Sequence, residues 1–170
     1  ESITIPKNVF AVKDYAFYNC TNLSKVVCLD ANTSLGYGVF SNCNNISSMS
    51  LYNIEKLSDL FAVSSNENLP ESFKELGFAG TTLKENAIKG FKGLEKIIFT
   101  DKLDSIEARA FDGCNSLLYV ILPNSIKTIG EEAFINCHKD LKICLPFDKV
   151  PETFDINWNK GNYEVILNYQ

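Results

Sequence analysis

One octet organises this chain. Ala16-Phe17-Tyr18-Asn19-Cys20-Thr21-Asn22-Leu23 returns 23 residues later as Val39-Phe40-Ser41-Asn42-Cys43-Asn44-Asn45-Ile46. It comes back as Ala110-Phe111-Asp112-Gly113-Cys114-Asn115-Ser116-Leu117 and, 23 further on, as Ala133-Phe134-Ile135-Asn136-Cys137. Two weaker copies hold the register between them: Ala62-Val63-Ser64-Ser65-Asn66 and Ala87-Ile88-Lys89-Gly90-Phe91, separated by the one irregular step of 25 residues. A unit this short cannot bury its apolar face alone, but stacked neighbours can. Six tandem copies therefore specify a solenoid.

Each copy has apolar partners on both sides. Four residues before the Ala position stand Val12, Leu35, Ser58, Leu83, Ile106 and Ile129. Downstream come Val26-Val27-Cys28, Met49-Ser50-Leu51, Ile97-Ile98-Phe99, Val120-Ile121-Leu122 and Ile143-Cys144-Leu145. Such short alternating, β-branched runs read as half-buried strands, paired in parallel about 4.8 Å apart from coil to coil. The residue before the Cys slot is Asn, Asn, Ser, Gly, Gly, Asn. These types tolerate positive φ, so a tight turn is expected there in every coil. Gly130–Phe134 and its equivalents are long enough for a single helical turn. The expected fold is an α/β-type leucine-rich-repeat solenoid of about six coils over residues 1–146, with short parallel strands and single helical turns or irregular loops. Residues 147–170 leave the repeat. Phe154, Ile156 and Trp158 alternate, Asn159-Lys160-Gly161-Asn162 supplies turn chemistry, and Tyr163, Val165, Leu167 and Tyr169 alternate again. That pattern predicts a β-hairpin, placed as a cap over the last coil.

Composition closes off other classes. Over 170 residues, 16 Lys+Arg stand against 21 Asp+Glu, for a net charge of −5. A mildly acidic chain without a basic cluster is a poor ligand for phosphate backbones, so no nucleic-acid partner is expected. An apolar share of 45% is globular. No apolar run approaches the roughly 20 residues of a membrane-spanning helix. Glu1 leads directly into the strand-like Ser2-Ile3-Thr4-Ile5 with no signal-like segment, which reads as a mature or excised piece of something longer.

The string Ile126-Lys127-Thr128-Ile129-Gly130-Glu131-Glu132-Ala133-Phe134-Ile135-Asn136-Cys137 closely resembles the BspA-like leucine-rich repeat of bacterial surface proteins. Asp14–Leu23 is similarly close, and the likeness runs over residues 1–146. The third and fourth copies depart from it, with Asn66 and Phe91 in place of Cys and Ser58 in place of an apolar residue. The resemblance implies an extracellular or cell-surface module used for adhesion and protein binding. It names no ligand and carries over no catalytic residue.

Residues capable of chemistry have simpler readings. Cys20, Cys43, Cys114 and Cys137 share one repeat slot and are expected in the core as thiols. Their spacings do not converge as zinc ligands, and parallel Cβ vectors in adjacent coils disfavour disulfides. Cys28 is predicted inward; Cys144, at an outward position, is the expected exposed thiol. His138 is the only histidine, and its neighbour Cys137 points elsewhere in a turn, so no Cys–His or Ser–His–Asp machinery is expected. Gly36-Tyr37-Gly38 and Gly77-Phe78-Ala79-Gly80 lack the Lys-Ser/Thr and helix of a phosphate loop. No metal and no cofactor are expected.

The leading expectation is a non-enzymatic, secreted or cell-surface module that binds a host or neighbouring-cell protein or glycoprotein. A passive spacer arm is the alternative, and a glycan hydrolase with two carboxylates about 5–10 Å apart is a distant third. A binder and a spacer differ on the outward face of the strands. Its middle positions read Thr4, Val27, Ser50, an unassigned third-coil residue, Ile98, Ile121 and Cys144; two residues earlier stand Lys25, Ser48, Lys96, Tyr119 and Lys142. Ile98, Ile121 and Tyr119, rimmed by Lys96 and Lys142, form the candidate binding patch.

Overall fold

A computed structural model describes residues 1–55 and 57–169. The chain winds into about seven coils, each beginning with a strand on one main face. The main-face strands are β1 (Ser2–Ile5), β3 (Lys25–Cys28), β5 (Ser48–Leu51), β6 (Glu75–Phe78), β8 (Lys96–Phe99), β10 (Tyr119–Ile121), β12 (Lys142–Cys144) and β13 (Glu164–Ile166). Two-residue strands form a second row: β2 (Ala11–Val12), β4 (Ser34–Leu35), β7 (Thr82–Leu83), β9 (Ser105–Ile106) and β11 (Thr128–Ile129). All pairings are parallel and equivalent residues align, as in Val26↔Met49, Met49↔Leu76 and Leu76↔Ile97. That row points inward and is buried, because period-2 alternation puts every second side chain into the core.

The octet forms a third column, a ridge that alternates two kinds of hydrogen bond. Tyr15, Phe17 and Asn19 donate their N–H to Tyr37, Val39 and Ser41 of the next coil at 2.8–3.0 Å; Ala16, Tyr18 and Cys20 donate three residues back. Arg109, Phe111 and Gly113 repeat this towards Glu131, Ala133 and Ile135. Alternate N–H groups pointing along the stack are incompatible with a helix. Helix is accordingly confined, among the described residues, to two short 3-10 segments in the third coil, Leu57–Phe61 and Asn66–Asn68. The expected turn before the Cys slot is present as positive φ at Asn19, Asn42, Gly90, Gly113 and Asn136. Ser65 is the exception, extended at φ −159°. Tyr15, Gly38, Asn86, Arg109 and Glu132 form a second positive-φ station just before the Ala position.

An aromatic column fills the core. Phe17 stacks on Phe40 at 5.6 Å and Phe111 on Phe134 at 4.8 Å. Phe40, Phe111 and Phe134 are buried as expected; Phe17, in the first coil, is half-buried. The third coil carries a correction. Phe40 donates its N–H to Leu60 O at 2.8 Å, where Phe17 donates to Val39 O. Leu60 and Phe61 therefore take the places that spacing assigned to Ala62 and Val63, and Phe61 lies 6.2 Å from Phe40 in the column. The second row has no strand here, and the Leu57–Phe61 helix occupies its place, with Ser58 buried.

The hairpin expected over 147–170 does not form. β13 pairs in parallel with β12, Ile143 against Val165, and the intervening residues complete a seventh coil. Asp155 donates to Ile129 O at 2.8 Å, Glu132 donates to Asn157 O, and Trp158 packs edge-on against Phe134 at 6.3 Å. Phe154 and Trp158 are buried because they extend the core column rather than alternate on a strand. Gln170 lies outside the described residues.

Candidate functional site

The outward side chains of the main face lie in register from coil to coil. Thr4 aligns with Val27, Val27 with Ser50, Ser50 with Gly77 and Gly77 with Ile98. The unassigned third-coil position is thus Ser50's neighbour Gly77, and a side chain there would run into the Ser50 hydroxyl. The row two residues earlier reads Ser2, Lys25, Ser48, Glu75, Lys96, then Tyr119, Lys142, Glu164.

Ile98, Tyr119 and Ile121 are 43%, 53% and 48% exposed, which makes them a surface feature rather than core. They straddle a joint in the sheet. β1-β3-β5-β6-β8 form one ladder and β10-β12-β13 another; β8 and β10 lie side by side without being joined. The flanking lysines are both in ion pairs, Lys96 with Glu75 at 3.3 Å and Lys142 with Glu164 at 3.0 Å. The hydrogen bond and charge of Glu164 push the Lys142 pKa up. The rim is therefore polar and close to neutral. Glu75 and Glu164 were not picked out from sequence because the strand around Gly77 was unassigned and residues 147–170 read as a hairpin rather than as a further main-face strand.

Cys144 departs from expectation. It aligns with the exposed Ile121, yet it is buried, and burial raises its pKa. The chain end folds back beside it: Tyr169 donates to Leu145 O and Asn168 to Phe147 O. All six cysteines are unpaired thiols. Cys43, Cys114 and Cys137 each point at a carbonyl of the preceding coil: Phe17 O at 3.0 Å, Ile88 O at 3.4 Å and Phe111 O at 3.2 Å. Burial drives the Cys114 pKa well up and that of Cys137 up to about 12. Cys20, in the first coil, is exposed instead. In the native protein a thiol reagent should therefore modify Cys20 first and leave Cys43, Cys114 and Cys144 until denaturation. Peptide mapping after brief labelling checks this; early label on Cys144 would contradict the packing of the chain end.

The carboxylates whose pKa departs from the ordinary range, Asp30 and Glu132, both move down. A general acid for glycoside hydrolysis needs the opposite. Among the described residues no three His, Cys, Asp or Glu side chains gather as metal ligands. Glu132 is nearly buried and accepts hydrogen bonds from Lys160 and Arg109, which together hold its pKa low. Its contribution is full above its unfolded value of about 4.5 and is lost as pH falls through the lower folded value. Glu132→Gln should lower the melting temperature at pH 7, and the difference should shrink as pH falls from about 4.5 through the lower folded value. A pH-independent difference would mean that shape, not charge, matters at this position.

Parallel coils, inward aliphatic rows and an Asn/Cys ridge define a leucine-rich-repeat solenoid. The model for the BspA type leucine rich repeat region, in six copies, matches residues 1–77 and 81–153. The chain belongs to that family. Among solved structures, it is similar to a leucine-rich repeat protein from Eubacterium ventriosum, with 19% identity and a TM-score of 0.57 over 94% of this chain and 46% of that one. A leucine-rich repeat protein of T. pallidum shares 25% identity over 85% of this chain and 58% of that one, with a TM-score of 0.43. The chain thus spans about half the length of these relatives. No curated protein matches it.

Proposed function

We propose that this chain is a non-enzymatic protein-binding module of a secreted or cell-surface protein, and that it binds through the main face around Ile98, Tyr119 and Ile121. The observation that carries this reading is one contiguous, half-exposed apolar patch. Elsewhere the outward row holds Thr4, a single Val27, Ser50 and the bare Gly77. Aromatic and aliphatic groups inside a polar rim are how interaction surfaces are built, whereas scattered single apolar groups carry no such meaning. A passive spacer gains nothing from this arrangement. The partner suited to it is a protein or glycoprotein that offers an apolar anchor to the joint between β8 and β10.

Ile121→Asp and Tyr119→Ala should each weaken binding to an immobilised extracellular protein partner by at least about tenfold, as central anchors do. Their melting temperatures should stay near that of the wild type, because both side chains are half in solvent already. Unchanged affinity in both variants would move the site off the main face.

A further inference from the structure

We infer that an open cavity on the ridge side of the third, fourth and fifth coils is a binding site for a neutral saccharide. The cavity measures about 420 Å³, within the range of small-molecule sites. It lies where the ridge changes course: Ser65 is extended at φ −159°, and the side chain of Asn66 reaches across to the fourth coil. Two buried polar groups mark it as a site. Ser58 is 1% exposed and Asn66 7%, both line the cavity, and Ser58 Oγ and Asn66 Oδ1 have no hydrogen-bond partner. Asn66 Nδ2 is anchored on Lys89 O at 2.9 Å, which holds the amide in place. Buried polar atoms in folded proteins are normally paired, so capacity left open beside a cavity suits a ligand hydroxyl, met directly or through one bound water.

The floor is bare. At the left-handed turn station Asn serves in the first, second and sixth coils, but glycine in the fourth and fifth, as Gly90 and Gly113. Packing does not demand that exchange, since a Cβ on Gly113 would lie 3.7 Å from Gly90 Cα, an ordinary contact. What the two adjoining glycines leave is a strip of backbone that a sugar ring can approach closely. The chemistry of the walls selects the ligand. Lys92 pairs with Glu67 at 2.7 Å between the third and fourth coils, and Lys89 with Asp112 at 2.8 Å between the fourth and fifth. Each pair sets a strong donor beside a strong acceptor with the two charges cancelling. That is the complement of a vicinal diol, in which one hydroxyl accepts from the ammonium while its neighbour donates to the carboxylate. Asn86, Asn115 and Asn136 add amides, which also offer both a donor and an acceptor. A phosphate or a polyamine would engage one half of each pair and be repelled by the other; sugar hydroxyls engage both.

The probes are mannotriose, lactose and cellotriose, titrated into the isotope-labelled chain by NMR, against the acidic trigalacturonate and the cationic spermidine. At least one neutral saccharide should shift the signals of Asn86, Gly90 and Gly113 with millimolar affinity, and should bind tighter than either charged probe. Mannotriose or lactose binding tightest would identify a glycoprotein-type glycan as the source of the sugar; cellotriose binding tightest would identify a β-glucan. Gly113→Asn, which installs the residue of three other coils at a φ it accepts, should abolish binding by filling the floor while the melting temperature stays near that of the wild type. Ser58→Ala should weaken binding by about threefold to tenfold, the worth of one hydrogen bond, without lowering the melting temperature, because the hydroxyl it removes has no partner in the free protein. Ile121→Asp should leave binding unchanged, which separates this site from the main-face patch. A charged probe that outbinds every neutral saccharide, no shift with any of the three, or unchanged binding in either cavity variant would overturn the assignment.

Discussion

Phe111→Ala is expected to destabilise the protein by about 3–5 kcal/mol, the cost of deleting a fully buried aromatic ring from a core that cannot collapse around the loss. In a domain of this size that is a fall in melting temperature of roughly 6–20 °C. The ring is completely buried, stacks on Phe134 at 4.8 Å and meets Phe99 edge-on at 6.4 Å. It therefore bridges the fifth and sixth coils at the level where the main sheet is not laddered. Phe17→Ala is the internal control. Its ring has one stacking partner, Phe40, and is only half-buried, so its loss should cost distinctly less. Equal effects in chemical denaturation would show that ring burial does not set the strength of the column.

Asn66→Ala should cost about 1–3 kcal/mol, a large effect for an amide outside any active site. Among the described residues no backbone ridge bond joins the third coil to the fourth; Asn66 takes over, its Nδ2 donating to Ala87 O at 3.4 Å and Lys89 O at 2.9 Å. Truncation leaves these acceptors without a donor. Asn66→Cys, which restores the residue found at this slot in four other copies, should not rescue stability. A slot cysteine donates to the preceding coil, as Cys43 does to Phe17, and not to the following one. Equilibrium denaturation of the three proteins distinguishes these outcomes, and a Cys variant as stable as wild type would refute the donor argument.

The third coil also shows where sequence reading stops. The 23-residue period, the phenylalanine column and the Asn/Gly turn station are legible because each imposes a residue type: only an aromatic fills the column, and only Asn or Gly adopts positive φ cheaply. The neighbouring station at Tyr15, Arg109 and Glu132 is equally left-handed but leaves no compositional trace. Ala62-Val63 offered the right spacing and Leu60-Phe61 the right chemistry; packing chose the phenylalanine. Alternation over 154–169 does not distinguish antiparallel from parallel pairing, so a seventh coil reads like a hairpin. The in/out phase of β8 and β10 was enough to place Ile98, Tyr119 and Ile121 on the surface. The same phase failed at Cys144, because what covers it returns from more than 20 residues further along the chain.

The interruptions of the three columns fall at different heights. The main sheet is unjoined between β8 and β10, where the second row pairs β9 with β11 and the ridge bonds run unbroken. The second row and the ridge lapse around the third coil, where β5 and β6 pair along their full length. This is the bond of a brick wall, with no vertical joint continuing from one course to the next. A load pulling along the stack meets at least one continuous column at every level, so no single plane exists along which the wall would part cleanly. The joints remain as local slack, one between β8 and β10 and one around the third coil, where mortar is thinnest.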